Sequence, residues 1–435
     1  MTDGQTVTRR AMLQSGAALA AASLLPARFR AEVAPRPAGM PSGRFAPHVA
    51  VIGAGVFGGW TALSLLRKGA RVTLVDAWGA GNSRSSSGDE TRVIRAMYNG
   101  DPLYTDMVSR AFVLWREAEA GWGRPVFRKT GAIYLFEGDD AFARQSLPLM
   151  RERGIAVETL TPAEAATRFP QIRFDGVRVV YLEPEAGYLL ARESCELVRQ
   201  AVEREGGTYT QARARPGPIE SGRLTNVRLE GGDAIAADAF VFACGPWLGR
   251  VFPDVVAADG IVATRQDVLY IGPPAGDTRF DEGSCPVWIN FGIRRLYGIP
   301  GNERRGFKIA DDTSGLPINP DSLDRVVTPQ AIRRARALLA RRFPALASQP
   351  IVETRVCQYE YSPDGDYLLD RHPGAGNTWL VGGGSGHGFK MGPALGEYVA
   401  RLVLEGAAPD PKFSYARFIE GRARVRRTRQ RKEHP

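Results

Sequence analysis

Apolar and polar positions change period several times along the chain. His48-Val49-Ala50-Val51-Ile52 is a continuous apolar run of strand length, followed by a cluster of glycines. A helical period then carries through Leu66, and after Gly69 a second short run, Arg71 to Val75, ends at Asp76. This predicts strand, glycine turn, helix, strand. Farther on, Gly131 to Phe136 and Arg178 to Leu182 read as short strands, unlike the βαβ opening. Pro329 to Phe343 reads as an amphipathic helix. No internal repeat or low-complexity linker breaks the order.

The 435 residues, 44% of them hydrophobic, are enough for a large core and for two domains or more. Cys195, Cys244, Cys285 and Cys357 are far apart, with no C-x-x-C pair and no histidine placed to complete a zinc site. Neither a disulfide framework nor a structural metal is expected.

The net charge of +10 suggests nucleic acid until it is divided along the chain. Residues 1–47 carry +4 and residues 422–435 carry +6, which leaves the body near zero. No basic face remains to hold nucleic acid. The arginine-rich end reads as a solvated tail. Thr8-Arg9-Arg10-Ala11-Met12-Leu13 precedes a weakly apolar run, Ala17 to Leu25, too short to anchor a membrane helix. Paired arginines before such a run resemble a twin-arginine signal, so residues 1–45 are expected to be a signal peptide and linker. The implied location is the periplasm or cell exterior, reached already folded through the twin-arginine export machinery.

The chemistry begins at Gly53-Ala54-Gly55-Val56-Phe57-Gly58. Gly53 permits the tight turn, Gly55 lets a pyrophosphate approach the backbone, and Gly58 lets helix and strand pack closely. The helix start around Val56 and Phe57 offers free amides and a positive dipole end to phosphate. Asp76, at the end of the second strand, suits a ribose hydroxyl. Strand, glycines, helix, strand and acid in this order predict a dinucleotide site, without choosing the dinucleotide.

Ser85-Ser86-Ser87-Gly88-Asp89-Glu90-Thr91-Arg92-Val93-Ile94-Arg95 makes that choice. It resembles a segment of the monomeric sarcosine oxidase and N-methyltryptophan oxidase branch of the D-amino-acid-oxidase-like flavoproteins. Further matching blocks are Arg192 to Gly207, a helix followed by a turn, Phe240 to Trp247, Tyr297-Gly298-Ile299-Pro300, Gly306-Phe307-Lys308-Ile309, Cys357 to Asp364 and Gly383 to Lys390. Together they run from residue 48 to about residue 405. The resemblance implies an α/β protein, α+β overall, in which a Rossmann-like FAD-binding domain (48–130, 185–250, 358–415) interleaves with a β-sheet substrate domain (131–184, 251–357). Residues 416–435 form the tail.

In such enzymes an amine C–N bond is oxidised, and the cofactor carries the difficult step. The resemblance assigns Arg95 and Lys390 to a substrate carboxylate, Arg92 to the flavin ring and Tyr297 to the edge of the substrate. Ser86, Thr91, Arg92 and the run Gly386-His387-Gly388-Phe389-Lys390 are expected at the cofactor. Cys357 matches the cysteine that bonds covalently to the flavin; its plain alternative is a buried thiol. Lys308 matches the lysine that promotes electron transfer to oxygen. Four residues on, where sarcosine oxidases carry a histidine, stands Asp312, expected either to select the substrate or to begin a solvated turn. The implied activity is FAD-dependent oxidation of a secondary or N-substituted amino acid by a monomer, with molecular oxygen as acceptor and hydrogen peroxide as product. A dehydrogenase feeding a quinone or carrier protein is the alternative, and a flavoprotein acting mainly as a binding module is a weaker one.

Overall fold

The computed structural model describes residues 46–257, 260–292, 294–313 and 315–419. The leader and most of the basic tail lie outside the described residues.

The opening forms as its pattern predicts: strand His48–Ile52, helix Val56–Arg67, strand Arg71–Asp76. These strands join a six-stranded sheet in the order Leu368–His372, Ala375–Gly382, Ala239–Phe242, His48–Ile52, Arg71–Asp76, Thr208–Gln211. Its neighbours run parallel except for the hairpin Leu368–His372 and Ala375–Gly382. Strands from three distant stretches of sequence therefore share one sheet, and the helix Val56–Arg67 lies between the helices Ala191–Arg204 and Gly392–Glu405. That packing is close because Gly396 faces the Trp60 carbonyl, where an added Cβ would stand 2.5 Å away.

The helix Pro102–Trp122 shows how local chemistry sets element ends. Asp101 caps it by accepting from the amides of Leu103 and Tyr104, proline occupies its first position, and Gly123 closes it with φ of 63°. Its Trp115 packs edge to face on Trp60, with ring centroids 5.2 Å apart.

The second sheet has eight strands, in the order Ile351–Tyr361, Val262–Ile271, Phe307–Asp311, Arg295–Ile299, Val287–Phe291, Ala132–Phe136, Val179–Glu183, Glu158–Leu160. One neighbouring pair, Ala132–Phe136 with Val287–Phe291, is parallel, and the rest are antiparallel. The helix Pro329–Arg342 covers it, burying Leu338 and Leu339 in a cluster with Trp288, Phe307 and Phe343. Residue 358 falls inside the long strand Ile351–Tyr361, which pairs along its length with Val262–Ile271. A third sheet, Thr91–Ile94, Gly187–Leu190 and Phe127–Arg128, joins the two larger parts. The α/β class with an interleaved β-sheet part is the architecture observed. All four cysteines are unpaired.

Candidate active site

The glycine turn is built as its spacing requires. Gly53 has φ of 107°, and a Cβ there would stand 2.3 Å from the Ala243 carbonyl oxygen; at Gly58 it would stand 1.8 Å from the Gly53 oxygen. Ala54 N donates to Asp76 Oδ2 (2.8 Å), and Val56 N donates to Ser87 Oγ (3.1 Å). Asp76 Oδ1 also accepts from the amides of Trp78 and Gly79, both at 2.9 Å. So Asp76 orders the turn that follows its strand, with lone-pair capacity left over. Burial raises its carboxyl against those three amides.

Above this turn lies a cavity of about 920 Å³. Gly53, Gly55, Val56, Phe57 and Asp76 line its floor, Trp78, Arg213 and Trp247 stand at one part of its wall, and Arg92, Tyr359, Gly386 and Phe389 at another. Ser86 Oγ and Glu360 Oε1 belong to residues of this lining, and both are buried without a protein partner; so is Thr91 Oγ1 nearby. A helix start, a close-approach glycine turn and unsatisfied polar atoms fit a long polar ligand such as FAD.

A second cavity, about 570 Å³, shares Arg92, Tyr359, Gly386 and Phe389 with the first. Arg95, Lys390, Tyr297 and Asp312 line it, predicted positions brought together from separate parts of the chain. Arg95 Cζ lies 5.0 Å and Lys390 Nζ 5.1 Å from the Tyr98 ring centre, so two cations face one ring. Lys390 Nζ donates to the His387 carbonyl (2.9 Å). Burial, then the charge of Arg95, pushes the Lys390 ammonium well below its usual value. Burial raises Asp312 against the opposing pull of Arg295, Arg95 and Lys390. Its nearest cation is Arg295, at 3.7 Å, and Tyr359 OH approaches it at 3.5 Å. Asp312 thus stands at a cavity wall directly after the strand Phe307–Asp311.

His387 is held on both ring nitrogens: Tyr367 OH donates to Nδ1 (2.8 Å), and Nε2 donates to the Gly365 carbonyl (3.0 Å). Burial, reinforced by Lys390, pulls it down to about 3, so it is neutral and structural at physiological pH. Gly386 has φ of 79° and approaches the Tyr359 ring so closely that a Cβ would stand 2.8 Å from it, while Gly388 lines the cofactor cavity.

Cys357 Sγ receives a hydrogen bond from Arg92 Nη2 at 3.0 Å. Lys308 lies behind this pair, 1% exposed and outside the linings of both cavities; its Nζ is 5.8 Å from the Tyr297 ring centre. Burial pulls it down to about 8, Asp89 partly restores it, and Arg92 opposes it further. Burial also raises the Tyr297 hydroxyl.

The sequence reading missed three residues here. Ser87 caps the glycine turn, Glu360 presents a carboxyl beside the cofactor cavity, and Asp89 joins Lys308 to Arg92. Asp89 and Ser87 lay inside a block already singled out, but which of several small polar residues turns inward is decided by the fold. Glu360 left no such signal, because its strand also carries Glu353 and Arg355 and is buried only in its second half.

The family model described as FAD dependent oxidoreductase matches residues 48–402. Monomeric sarcosine oxidase from Bacillus sp. is 27% identical over 82% of this chain and 92% of its own. N-methyl-L-tryptophan oxidase from Salmonella arizonae is 27% identical over 82% and 94%. Among solved structures, L-proline dehydrogenase from P. horikoshii superposes with a TM-score of 0.76 at 22% identity, covering 86% of this chain and 98% of that one. NikD, an amino acid oxidase, superposes with a TM-score of 0.71 at 18% identity, over 85% and 98%. With the glycine turn, the large cavity above it and a family match spanning both sheets, the chain belongs to the FAD-dependent oxidoreductases of the DAO family.

Proposed function

We propose that this FAD-dependent oxidoreductase oxidises the C–N bond of a secondary or N-substituted amino acid to an imine, with oxygen as acceptor and hydrogen peroxide as product. The observation that carries the reading is the meeting of two cavities at Arg92, Tyr359, Gly386 and Phe389, one suited to FAD and the other lined by the half-buried Arg95 and the buried Lys390. FAD, when bound, supplies the two-electron acceptor for the amine carbon. The chain's own residues orient: Arg95 offers a fork and Lys390 a point charge to a carboxylate, which presents the neighbouring C–N bond at the junction. Asp312, facing Arg295 across the cavity wall, favours a substrate larger than sarcosine with a cationic or donor group. The test is peroxide release from the purified flavoprotein against a panel of N-alkyl amino acids and the corresponding amines lacking the carboxylate. Turnover on the amino acids with peroxide formed is expected. Turnover with a quinone and none with oxygen favours the dehydrogenase.

Attachment of FAD through Cys357 belongs to the same reading. Arg92, which lines the cofactor cavity, donates to Sγ and so holds the sulfur beside that cavity. Acid-precipitated protein is then expected to stay yellow and Cys357→Ala to release free FAD; a colourless wild-type pellet removes the claim. The twin arginines Arg9 and Arg10 support export of the folded flavoprotein. Replacing both with lysine is expected to retain the precursor in the cytoplasm, and continued appearance outside rules out this route.

A further inference from the structure

Asp89 is 2% exposed, and donors from three strands converge on it. Lys308, from Phe307–Asp311, places Nζ 2.5 Å from Oδ2; Arg92, from Thr91–Ile94, places Nη1 2.6 Å from the same oxygen. Tyr270, from Val262–Ile271, donates its hydroxyl to Oδ1 at 2.6 Å. Arg355, from Ile351–Tyr361, approaches Oδ1 at 4.0 Å. Lys308 Nζ also donates to the Thr91 carbonyl at 2.8 Å, which leaves one of its three N–H groups unassigned.

We propose that Asp89 is the positioning residue that keeps Lys308 an ammonium ion and fixes it behind Arg92, the residue that lines both cavities. The physical case is one of charge balance in a buried space. Two cations share a single carboxylate oxygen, and their mutual repulsion in a weakly screened interior is large unless an anion lies between them. If Asp89 is neutralised, one cation gives up its proton. Arginine does not do so in proteins, so the lysine must.

The groups facing Lys308 are few. Beside Asp89 and Arg92 stand Cys357 and the Tyr297 ring, with Tyr270 and Arg355 acting through Asp89. Burial already pulls Lys308 down to about 8, and Asp89 is the largest influence in the opposite direction. Asp89 itself stays ionised, because Lys308 and then Arg92 outweigh the penalty of its burial. Removing the charge must therefore lower the pH at which Lys308 becomes neutral.

The proposal rests on the geometry of Asp89, and its use in turnover rests on the reading of Lys308 as the cation that promotes reaction with oxygen. The two are separable in the holoenzyme. Nitrogen-15 NMR of lysine-labelled protein, with the Lys308 signal assigned by its loss in Lys308→Met, follows the ammonium directly. In Asp89→Asn it is expected to lose its proton at a pH lower by about one unit or more. Asp89→Glu is expected to restore the wild-type titration. An unchanged titration in Asp89→Asn overturns the proposal.

Stopped-flow reoxidation of reduced flavin reads the consequence. At pH 8, Asp89→Asn is expected to slow it about fivefold or more, with recovery on acidification and little change in reduction by substrate. If the NMR titration moves and the oxygen step does not, Asp89 holds its role and the reading of Lys308 fails. Should Asp89→Asn not fold, Tyr270→Phe takes its place: losing that donor leaves more charge on Asp89, so Lys308 is expected to titrate higher, and no change overturns the proposal.

Discussion

Arg95 and Lys390 belong to different elements and meet only around the Tyr98 ring. Lys390 is so desolvated beside Arg95 that an arriving carboxylate does more than pair with it, because the anion favours its protonated form. Carboxylate binding is therefore expected to raise the pH at which Lys390 loses its proton, and kcat/KM for carboxylated amines to fall as pH rises while kcat changes little. Replacing either residue with methionine removes a charge-assisted contact, worth about 1.5–3 kcal/mol, so kcat/KM is expected to drop tenfold or more. Equal losses on amines without a carboxylate would show that the site does not use it. Both residues were legible because they stand in matched blocks. Asp89 stood in the same block and was passed over, since its importance comes from Lys308 and Tyr270, more than 180 positions away.

At the scale of elements, the turn from His48–Ile52 into Val56–Arg67 leaves no room for variation. A Cβ at Gly58 would overlap the backbone oxygen of Gly53, and backbone cannot step aside as a side chain can. Gly58→Ala is expected to separate helix from strand, cost on the order of 3 kcal/mol and empty the cofactor site, read as lost flavin absorbance per protein and a lower Tm. This element was fully legible, because each glycine answers a local requirement. The strand Ile351–Tyr361 was legible only in part. Its alternation sends Cys357 and Tyr359 to one face and Gln358 and Glu360 to the other, yet all four are buried. A strand covered on both sides lacks the polar face that would reveal what each position touches.

On the scale of the whole molecule, docking of the two large sheets traps Glu360 beside Gly382 and the cofactor cavity. Burial pushes its carboxyl up to about 8, against the amides of Gly383 and Gly384. The folded protein thus binds this proton more tightly than the unfolded chain. Its contribution to stability is complete at low pH and is lost as pH rises from the ordinary glutamate range toward about 8, at up to about 1.4 kcal/mol per pH unit. Wild-type Tm is expected to fall between pH 6 and pH 8, and Glu360→Gln, neutral throughout, to flatten that slope. A parallel slope in the variant would assign the pH dependence elsewhere.

The dinucleotide turn, the flanking helices and strands, and the residue types at the substrate end could all be read along the chain. Those depend on short-range constraints: steric room at glycine, strand and helix periods, and matched blocks of adjacent residues. Tertiary structure alone decided which of these residues meet. It set Asp89 between Lys308 and Arg92, turned Asp76 toward its own loop, locked His387 as a neutral ring and left Lys308 behind the cavities. Such outcomes follow from strand order and sheet docking, which bring together residues hundreds of positions apart. Their charge states follow from burial, and that quantity exists only once the chain has folded.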